Sequence, residues 1–419
     1  KPGNQKVLYG ELSKKSLTAI EPPLWEGLID TLLRKRGYSV DIIDAEAENL
    51  DPFSVVEKIE ERDPLLTGII VSGTNPSAST RNMTGTSALL EEISRRNLCI
   101  RTIVAGLNPS ALPERTLKDE KTDFVCEGEG FYTFAELIDA LREDYERKDF
   151  NIKGLWYRKG DKIIANERAS LIKDLDAELP HVSWDLLHMD KYRAHNWHCF
   201  QEPGQKREPY GVIYTSLGCP FSCHFCCINA IFGKPGIRYR SPEKVVEEIG
   251  YLVTRYGVKN IKIIDEMFVL NKEHVNGICD LIIEKGYDLN IWAYARVNTV
   301  NRELLLKLRD AGFKWLAYGI ESGNNKVLKS VTKGITIEKT KEIIKLTQDI
   351  GINVIGNYIF GLPEDNLQSM EDTLDLAIEL NCEFANIYCA TAYPGSSLYT
   401  QALEEGWKLP DTWVGYSPY

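Results

Sequence analysis

The chain has 419 residues, of which 43% are apolar and 26% charged, and its formal net charge is −11. This length suggests roughly two or three domains, and the acidic balance disfavours general binding to the anionic backbone of nucleic acids. No apolar run approaches the ~20 residues that a membrane helix needs, and the first residues lack the apolar core of a signal peptide. We therefore expect a cytoplasmic protein without nucleic-acid or membrane partners.

The first unit, predicted over residues 1–149, alternates β-rich runs with amphipathic helical runs. Its strands are predicted at 6–10, 38–46, 66–73, 100–108 and 122–130. Strands that alternate with helices run parallel with right-handed crossovers, so the pattern predicts an α/β fold with a doubly wound five-stranded sheet. Ligands on such sheets bind at the carboxyl ends of the strands, and small, Gly- and Ser-rich loops follow the last three runs here.

Residues 150–205 differ in composition and are predicted to connect two units. The stretch "GLWYRKGDKIIANE" predicts a hairpin with Gly160-Asp161 near its turn, and the Pro- and aromatic-rich remainder is typical of irregular chain that packs on both neighbours. His195 and His198 lie three residues apart, as two metal ligands on a helix would. In this setting we favour substrate contact or packing for both histidines.

The second unit, predicted over residues 206–419, resumes the alternation with six β/α units. Its strands are predicted at 211–218, 260–268, 290–297, 315–322, 353–361 and 384–393. A full barrel of this type has eight such units. The pattern therefore predicts a partial (β/α)6 barrel.

Four cysteines are concentrated in "CPFSCHFCC", directly after the first strand of the second unit. Thiolates at Cys219, Cys223 and Cys226 would select zinc, cuprous copper or an iron–sulfur cluster. A structural zinc site would need a fourth ligand, and a redox dithiol needs only two cysteines. Three thiolates on a four-iron cluster leave one iron open to a substrate or cofactor. Cys227 is interpreted as core packing.

The spacing Cys-x-x-x-Cys-x-x-Cys, with an aromatic residue before the last cysteine and five more β/α units after it, resembles the radical S-adenosylmethionine (SAM) superfamily. The resemblance extends from residue 211 to about 400 and implies a [4Fe-4S] cluster that SAM chelates at the open iron. Glu266 resembles the position that meets the ammonium of SAM, and Arg296 suits its carboxylate. The cofactor-binding residues implied in this unit are Phe225, Glu266, Arg296, Glu321 and Ser322.

The order of the two units resembles the cobalamin-binding radical SAM enzymes, and in particular the class B methyltransferases. The stretches "VAGLNPSALPERTL" and "DFVCEGEGFYTFAELIDAL" are similar to loops of that family's first domain, although the family usually has two glycines where this chain has Ala105-Gly106. The implied cobalamin contacts are Ser72, Thr74, Asn75, Gly106, Asn108, Glu127, Gly128 and Glu129. The first histidine is His181, so residues 1–180 supply no imidazole to cobalt.

The resemblance implies methylation of an unactivated carbon of a small-molecule substrate. An electron from flavodoxin or ferredoxin would split SAM at the cluster, and the 5′-deoxyadenosyl radical would remove a hydrogen from the substrate. Methylcobalamin would then donate its methyl group, and a second SAM would remethylate the cobalamin.

Other functions remain open at this stage. One is a cobalamin radical SAM enzyme that cyclises or rearranges its substrate without methylation, and another is a non-catalytic corrinoid-binding protein. A transfer-RNA methylthiotransferase shares the domain order, but its first domain would carry three cluster cysteines, whereas this one has Cys99 and Cys126. A dinucleotide site is disfavoured because no Gly-x-Gly-x-x-Gly follows the first predicted strand.

Overall fold

The first sheet combines three parallel strands with an antiparallel hairpin. The computed structural model describes residues 19–73, 75, 77–200 and 206–417. Strands β1 (Thr67–Val71), β2 (Thr102–Gly106) and β3 (Phe124–Cys126) pair in parallel, in that order. Strands β4 (Leu155–Lys159) and β5 (Lys162–Ala165) extend the sheet beyond β3 as the predicted hairpin. Within the described residues the sheet therefore has five strands. The loops that follow β2 and β3 face the second unit.

Two strands predicted for this sheet are not among these five. The strand predicted over 6–10 lies outside the described residues. Among the described residues no strand is assigned over 38–46, so the strand predicted there stays a prediction. Val40 and Ile42 pack against the core with their half-buried side chains.

The helices of the first unit cover its sheet and follow its strands. They are α1 (Leu24–Lys35), α2 (Pro52–Arg62), α3 (Ala78–Arg95), α4 (Leu107–Ala111), α5 (Pro113–Asp119) and α6 (Phe131–Glu143), and the connecting segment adds α7 (Leu175–Glu178). Asp51 caps α2 by accepting the N–H of Ser54, with Pro52 at the first helical position, where its missing N–H costs nothing. The short helix α4 starts directly at the carboxyl end of β2 and so carries that loop to the edge of the sheet.

The second sheet is an open barrel of six parallel strands, as predicted. Its strands are β6 (Tyr210–Ile213), β9 (Asn260–Ile263), β10 (Asn290–Ala295), β11 (Phe313–Glu321), β12 (Asn353–Phe360) and β13 (Phe384–Cys389), and the short hairpin β7 (Ser216–Leu217)–β8 (Arg238–Tyr239) stands beside them. The spatial order is β13-β12-β11-β10-β9-β6. The strands are almost continuously apolar because helices cover the sheet from outside.

The helices of the second unit have strong local start and stop signals. They are α8 (Asn229–Phe232), α9 (Pro242–Tyr256), α10 (Lys272–Lys285), α11 (Arg302–Asp310), α12 (Asn325–Ser330), α13 (Ile337–Ile350), α14 (Leu367–Leu380) and α15 (Ser397–Glu404). Helix α9 begins after Ser241, which accepts the N–H of Lys244, and ends at Gly257 in the left-handed conformation. Within the described ranges, no helix is both long and apolar enough to cross a membrane.

The connecting segment closes the amino-terminal end of the open barrel with an aromatic plug. Trp197 packs against Trp292 and Trp315, with ring centroids 5.4 and 5.1 Å apart. His195 stacks on Trp197, and a ring nitrogen of His198 lies 3.0 Å from the carbonyl oxygen of Asn290. Burial lowers the pKa of His198 to about 3, so its ring is neutral. The two histidines therefore serve packing.

Candidate active site

The cysteine loop, defined here as residues 216–239 from β7 to β8, is anchored at its start by one buried carboxylate. Asp265, at the end of β9, accepts hydrogen bonds from the N–H and the hydroxyl of Thr215, both at 2.6 Å. It also accepts the hydroxyl of Ser216 at 2.5 Å. All three donors come from residues that directly precede "LGC". Asp265 therefore positions the loop.

The middle of the cysteine loop is held by the connections that follow β11 and β13. The N–H of His224 donates to the carbonyl of Val331 at 3.1 Å, and its carbonyl accepts the N–H of Leu398 at 2.9 Å. The hydroxyl of Thr332 donates to the carbonyl of Ser222 at 2.9 Å. The ring of His224 is itself 2.8 Å from the side-chain oxygen of Gln401. These bonds order the backbone on which the cysteines stand.

The thiols of Cys219, Cys223 and Cys226 lie near one another. Burial, together with the neighbouring thiols of Cys223 and Cys219, raises the pKa of Cys226 to about 12. Burial also raises the pKa of Cys219. Such thiols hold their protons until a metal displaces them. In the part of the chain that the structure describes, no three Cys, His, Asp or Glu side chains are placed to hold a single metal ion. The ligands of a cluster bind different irons.

Two charged groups predicted to meet SAM flank these thiols. Nη1 of Arg296 is 3.8 Å from Sγ of Cys223, and its guanidinium lies 4.1 Å above the ring of Phe221. Glu266 directs one carboxylate oxygen, Oε2, into a buried position without a hydrogen-bond partner among the described residues. Burial raises the pKa of Glu266 to about 8. A buried carboxylate without a donor has the chemistry that an ammonium group would satisfy.

Glu321 and Ser322 stand at an irregularity at the end of β11. The register with β12 shifts between Gly319 and Glu321, and Glu321 adopts a left-handed φ of 66°. Its carboxylate forms a buried ion pair with Nζ of Lys333 at 2.7 Å, in a space that a Cβ at position 319 would occupy. The ammonium of Lys333 in turn lies 5.9 Å from the ring centre of Phe225. Lys333, in the loop after α12, was not among the residues predicted for this site, although it is the partner of Glu321.

Ser322 is fully buried and already engaged. Its hydroxyl lies 3.3 Å from the hydroxyl of Thr373 on α14 and accepts the N–H of Asn324 at 3.2 Å. These contacts link the loop after β11 to the outer helix. In this structure Ser322 shapes the loop that carries Glu321.

The carboxyl ends of β1 and β2 hold four of the residues predicted to contact cobalamin, and Thr74 lies outside the described residues. The hydroxyl of Ser72 is 3.4 Å from a carboxylate oxygen of Glu26. The side-chain oxygen of Asn75 accepts the N–H of Ala78, the first residue of helix α3, at 3.0 Å.

Gly106 and Asn108 form the tightest part of this edge. Gly106 has φ +131°, and a Cβ there would stand 2.5 Å from the carbonyl oxygen of Val71, so only glycine fits. Asn108 is fully buried, and its side-chain oxygen accepts the hydroxyl of Thr80 at 2.9 Å. Its amide nitrogen has no acceptor within the described part of the chain.

The loop after β3 contains Glu127, Gly128 and Glu129. Gly128 has φ +101°, and its N–H donates to the hydroxyl of Ser110 at 3.0 Å. Both carboxylates are paired with arginines, Glu127 with Arg168 and Glu129 with Arg238. Neither arginine was predicted from the sequence, because no local pattern marks a partner so far along the chain.

The edge of the first sheet and the cysteine loop meet directly. Helix α4 packs against α8, which follows the cysteines. At the contact, a Cβ at Gly395 would stand 2.6 Å from Ala230 and 3.1 Å from Ala111. Three loops from both units thus converge where small residues permit close approach. Asn108 and Glu266 each have a polar atom without a hydrogen-bond partner among the described residues, and each atom is chemically suited to bind a polar group of a ligand.

Comparisons with known proteins agree with this arrangement. Residues 213–377 match the radical SAM superfamily, and residues 15–138 match the B12 binding domain. An uncharacterized methyltransferase of Pyrococcus horikoshii is 32% identical over 96% of this chain and 83% of its own length. The anaerobic magnesium-protoporphyrin IX monomethyl ester cyclase of Rubrivivax gelatinosus is 28% identical over 91% of this chain and 66% of its own length.

A solved structure shares the fold of the whole chain. It is the radical SAM methyltransferase TsrM of Kitasatospora setae with cobalamin and a [4Fe-4S] cluster bound, with a TM-score of 0.72 and 19% identity, covering 94% of this chain and 74% of that one. Together, the two domain matches in this order and the full-length relative establish the family. The chain belongs to the cobalamin-binding radical SAM superfamily.

Proposed function

We propose that the protein is a cobalamin-dependent radical SAM methyltransferase that methylates an unactivated carbon of a small-molecule substrate. The observation that carries the proposal is the meeting of the two edges, where Ala111 at the first sheet and Ala230 behind the cysteines both approach Gly395. A methyl donor and a radical source must both reach one substrate carbon, so their sites must adjoin. The full-length relative named as a methyltransferase favours methylation as the outcome.

Residues of the barrel would hold the cluster and SAM. Cys219, Cys223 and Cys226 are the proposed cluster ligands, Glu266 the partner of the SAM ammonium and Arg296 the partner of its carboxylate. The remaining proposed SAM contacts are Phe225, Glu321 and Ser322. The buried ion pair of Glu321 with Lys333 would keep that wall of the site rigid, because removing one partner of a buried ion pair destabilises the fold by several kcal/mol. When bound, the cluster and SAM supply a 5′-deoxyadenosyl radical, and cobalamin supplies a methyl group.

The first unit would hold cobalamin at the carboxyl edge of its sheet. The proposed contacts are Ser72, Thr74, Asn75, Gly106, Asn108, Glu127, Gly128 and Glu129. Since Glu127 and Glu129 are paired with arginines, their carboxylates would act on cobalamin through the shape of the loop. We propose that the chain divides into a cobalamin unit (1–149), a connecting segment (150–205) and a radical SAM unit (206–419). We also propose flavodoxin or ferredoxin as the electron donor.

The test is anaerobic reconstitution with iron, sulfide and hydroxocobalamin, followed by reduction with dithionite in the presence of SAM carrying a deuterated methyl group. We expect bound iron and sulfide, 5′-deoxyadenosine, and S-adenosylhomocysteine with the label transferred to cobalamin. Cys223→Ala should abolish SAM cleavage, whereas the matched variant Cys227→Ala should retain it, because Cys227 is buried in the core. Protein without iron and sulfide, or equal loss in both variants, would refute the proposal.

A second candidate is cyclisation or rearrangement without methylation, which the cyclase relative of Rubrivivax gelatinosus favours. Both reactions would yield 5′-deoxyadenosine, but only methylation would also yield S-adenosylhomocysteine. A non-catalytic corrinoid-binding protein would yield neither product. The same assay therefore separates the three functions.

A further inference from the structure

Arg168, in the connecting segment, joins the loop after β3 to the cysteine loop. Its Nη1 donates to Oε1 of Glu127 at 3.1 Å. Its Nη2 donates to the carbonyl oxygens of Ala230 and Ile231, at 2.5 and 2.7 Å. Those two carbonyls belong to α8, four and five residues beyond Cys226. One guanidinium therefore touches both proposed cofactor-binding loops at once.

Two glycines, one from each loop, lie beside this guanidinium, and the closer approach is at Gly233. A Cβ at Gly128 would stand 3.6 Å from Nε of Arg168, and a Cβ at Gly233 would stand 3.1 Å from it. Both glycines have a left-handed φ, of 101° and 77°. The second oxygen of Glu127 is fixed by the indole N–H of Trp156 at 2.8 Å. The arginine and its carboxylate are thus each held in one orientation.

Arg238 makes a second connection of the same kind. Both of its Nη atoms donate to the carboxylate of Glu129, and Nη1 also donates to the carbonyl of Ile172 at 2.5 Å. The N–H of Ile172 returns a bond to Glu129 at 3.0 Å. Arg238 lies opposite Leu217 in the β7–β8 hairpin, two residues before Cys219. A bidentate arginine–carboxylate pair fixes angle as well as distance.

The two pairs hold the cysteine loop at two points. Arg238 lies on β8, which pairs with β7 ahead of the first cysteine, and Arg168 contacts the loop just after the last cysteine. Their carboxylates, Glu127 and Glu129, come from one three-residue stretch at the carboxyl end of β3. Two rigid links between the same two loops remove rotation as well as translation, which one link could not do.

We propose that Arg168 and Arg238 are positioning residues that fix the loop 127–130 against the cysteine loop and so set the separation between cobalt and the open iron. The role of these arginines in cofactor separation rests on the proposed function, but the link between the loops is testable without any cofactor. Arg115 provides a matched control, because it also joins distant segments, donating to the carbonyl of Asp411 at 2.8 Å, yet it touches neither loop.

The first arm measures hydrogen–deuterium exchange in the full chain without cofactors. Arg168→Gln should speed exchange in both 127–133 and 229–236 by about tenfold, because losing a charge-assisted hydrogen bond costs at least the ~1.4 kcal/mol that a factor of ten represents. Arg168→Lys keeps the charge but not the planar guanidinium, so its exchange rate in both segments should lie between those of wild type and Arg168→Gln. Unchanged exchange in these segments, or an equal rise in Arg115→Gln, would overturn the proposal.

The second arm measures the magnetic coupling between the reduced cluster and cobalt(II) cobalamin by electron paramagnetic resonance. Arg168→Gln and Arg238→Gln should retain both cofactors but show weaker or more widely distributed coupling, while Arg115→Gln should match wild type. Identical coupling in all four proteins would overturn the inference. If wild type binds neither cofactor, the proposed function fails, and the exchange arm still decides whether Arg168 joins the two loops.

Discussion

Removing the carboxylate of Asp265 should detach the start of the cysteine loop. In Asp265→Ala, the N–H of Thr215 and the hydroxyls of Thr215 and Ser216 lose their shared acceptor. Each buried donor left without a partner costs ~1–3 kcal/mol. The Thr215 hydroxyl also lies 3.1 Å from a ring nitrogen of His274, so it has an alternative partner. Burial raises the pKa of Asp265, which shows that the carboxylate carries a desolvation cost of its own.

After these opposing effects, the free energy of unfolding should fall by about 3 kcal/mol, near the lower end of the summed cost for three donors. For a unit of this size that corresponds to a fall of about 6–12 °C in the thermal midpoint. Scanning calorimetry of the cofactor-free protein measures the shift, and iron content after reconstitution measures cluster uptake, which should fall with it. Asp265→Asn retains one acceptor oxygen, so its free energy of unfolding should fall by about half as much as that of Asp265→Ala.

The control for this prediction is Asp280→Ala. Asp280 also pairs with a neighbour, Lys307 at 2.7 Å, but at the surface. An exposed pair of this kind contributes little. If the two alanine variants shifted the midpoint equally, or if Asp265→Ala took up a full complement of iron, Asp265 would not be the anchor of the loop.

Three further predictions concern other parts of the chain. Glu266→Gln should weaken SAM binding about ten- to hundredfold, the loss expected for a charge-assisted contact, with iron content unchanged; equal dissociation constants in equilibrium dialysis would contradict this. Gly106→Ala should lower the free energy of unfolding by about 1–3 kcal/mol and weaken cobalamin binding. Gly160 also has a left-handed φ but has open space around it, so Gly160→Ala should be less destabilising and leave cobalamin affinity intact. Glu120 accepts the indole N–H of Trp413, and burial raises its pKa above the ordinary value of 4.5. The folded state therefore binds this proton more tightly than the unfolded chain, and stability should fall as pH rises from 4.5 through the folded pKa. In Glu120→Gln this fall should be absent from urea titrations at pH 5 and pH 8.

Much of the second unit follows from local sequence. Each of its six strands is a short β-branched or aromatic run followed by an amphipathic helix, and such periodicity depends only on neighbours along the chain. The capping of α9 by Ser241 and Gly257 is equally local. The three-cysteine spacing also falls within eight residues, so the position of the proposed cluster could be predicted.

Adjacent residues with the same chemistry could not be assigned different tasks from sequence. Asp265 and Glu266 are both carboxylates at the end of β9. Asp265 accepts three hydrogen bonds at the start of the cysteine loop, whereas one oxygen of Glu266 has no partner in the described part of the chain. Which carboxylate meets which donors depends on how the end of the strand is oriented against its neighbour. That orientation is a property of the assembled sheet.

The sequence by itself determined the two-unit α/β plan, the six-stranded open barrel and the cysteine motif, because repeating polarity and ligand spacing are written in consecutive residues. The tertiary structure decided that the hairpin 155–165 extends the first sheet, and that Glu127 and Glu129 face Arg168 and Arg238. Those partners lie 41 and 109 residues away along the chain. Contacts over such separations form only when burial of the two cores brings the segments together, so no local pattern records them.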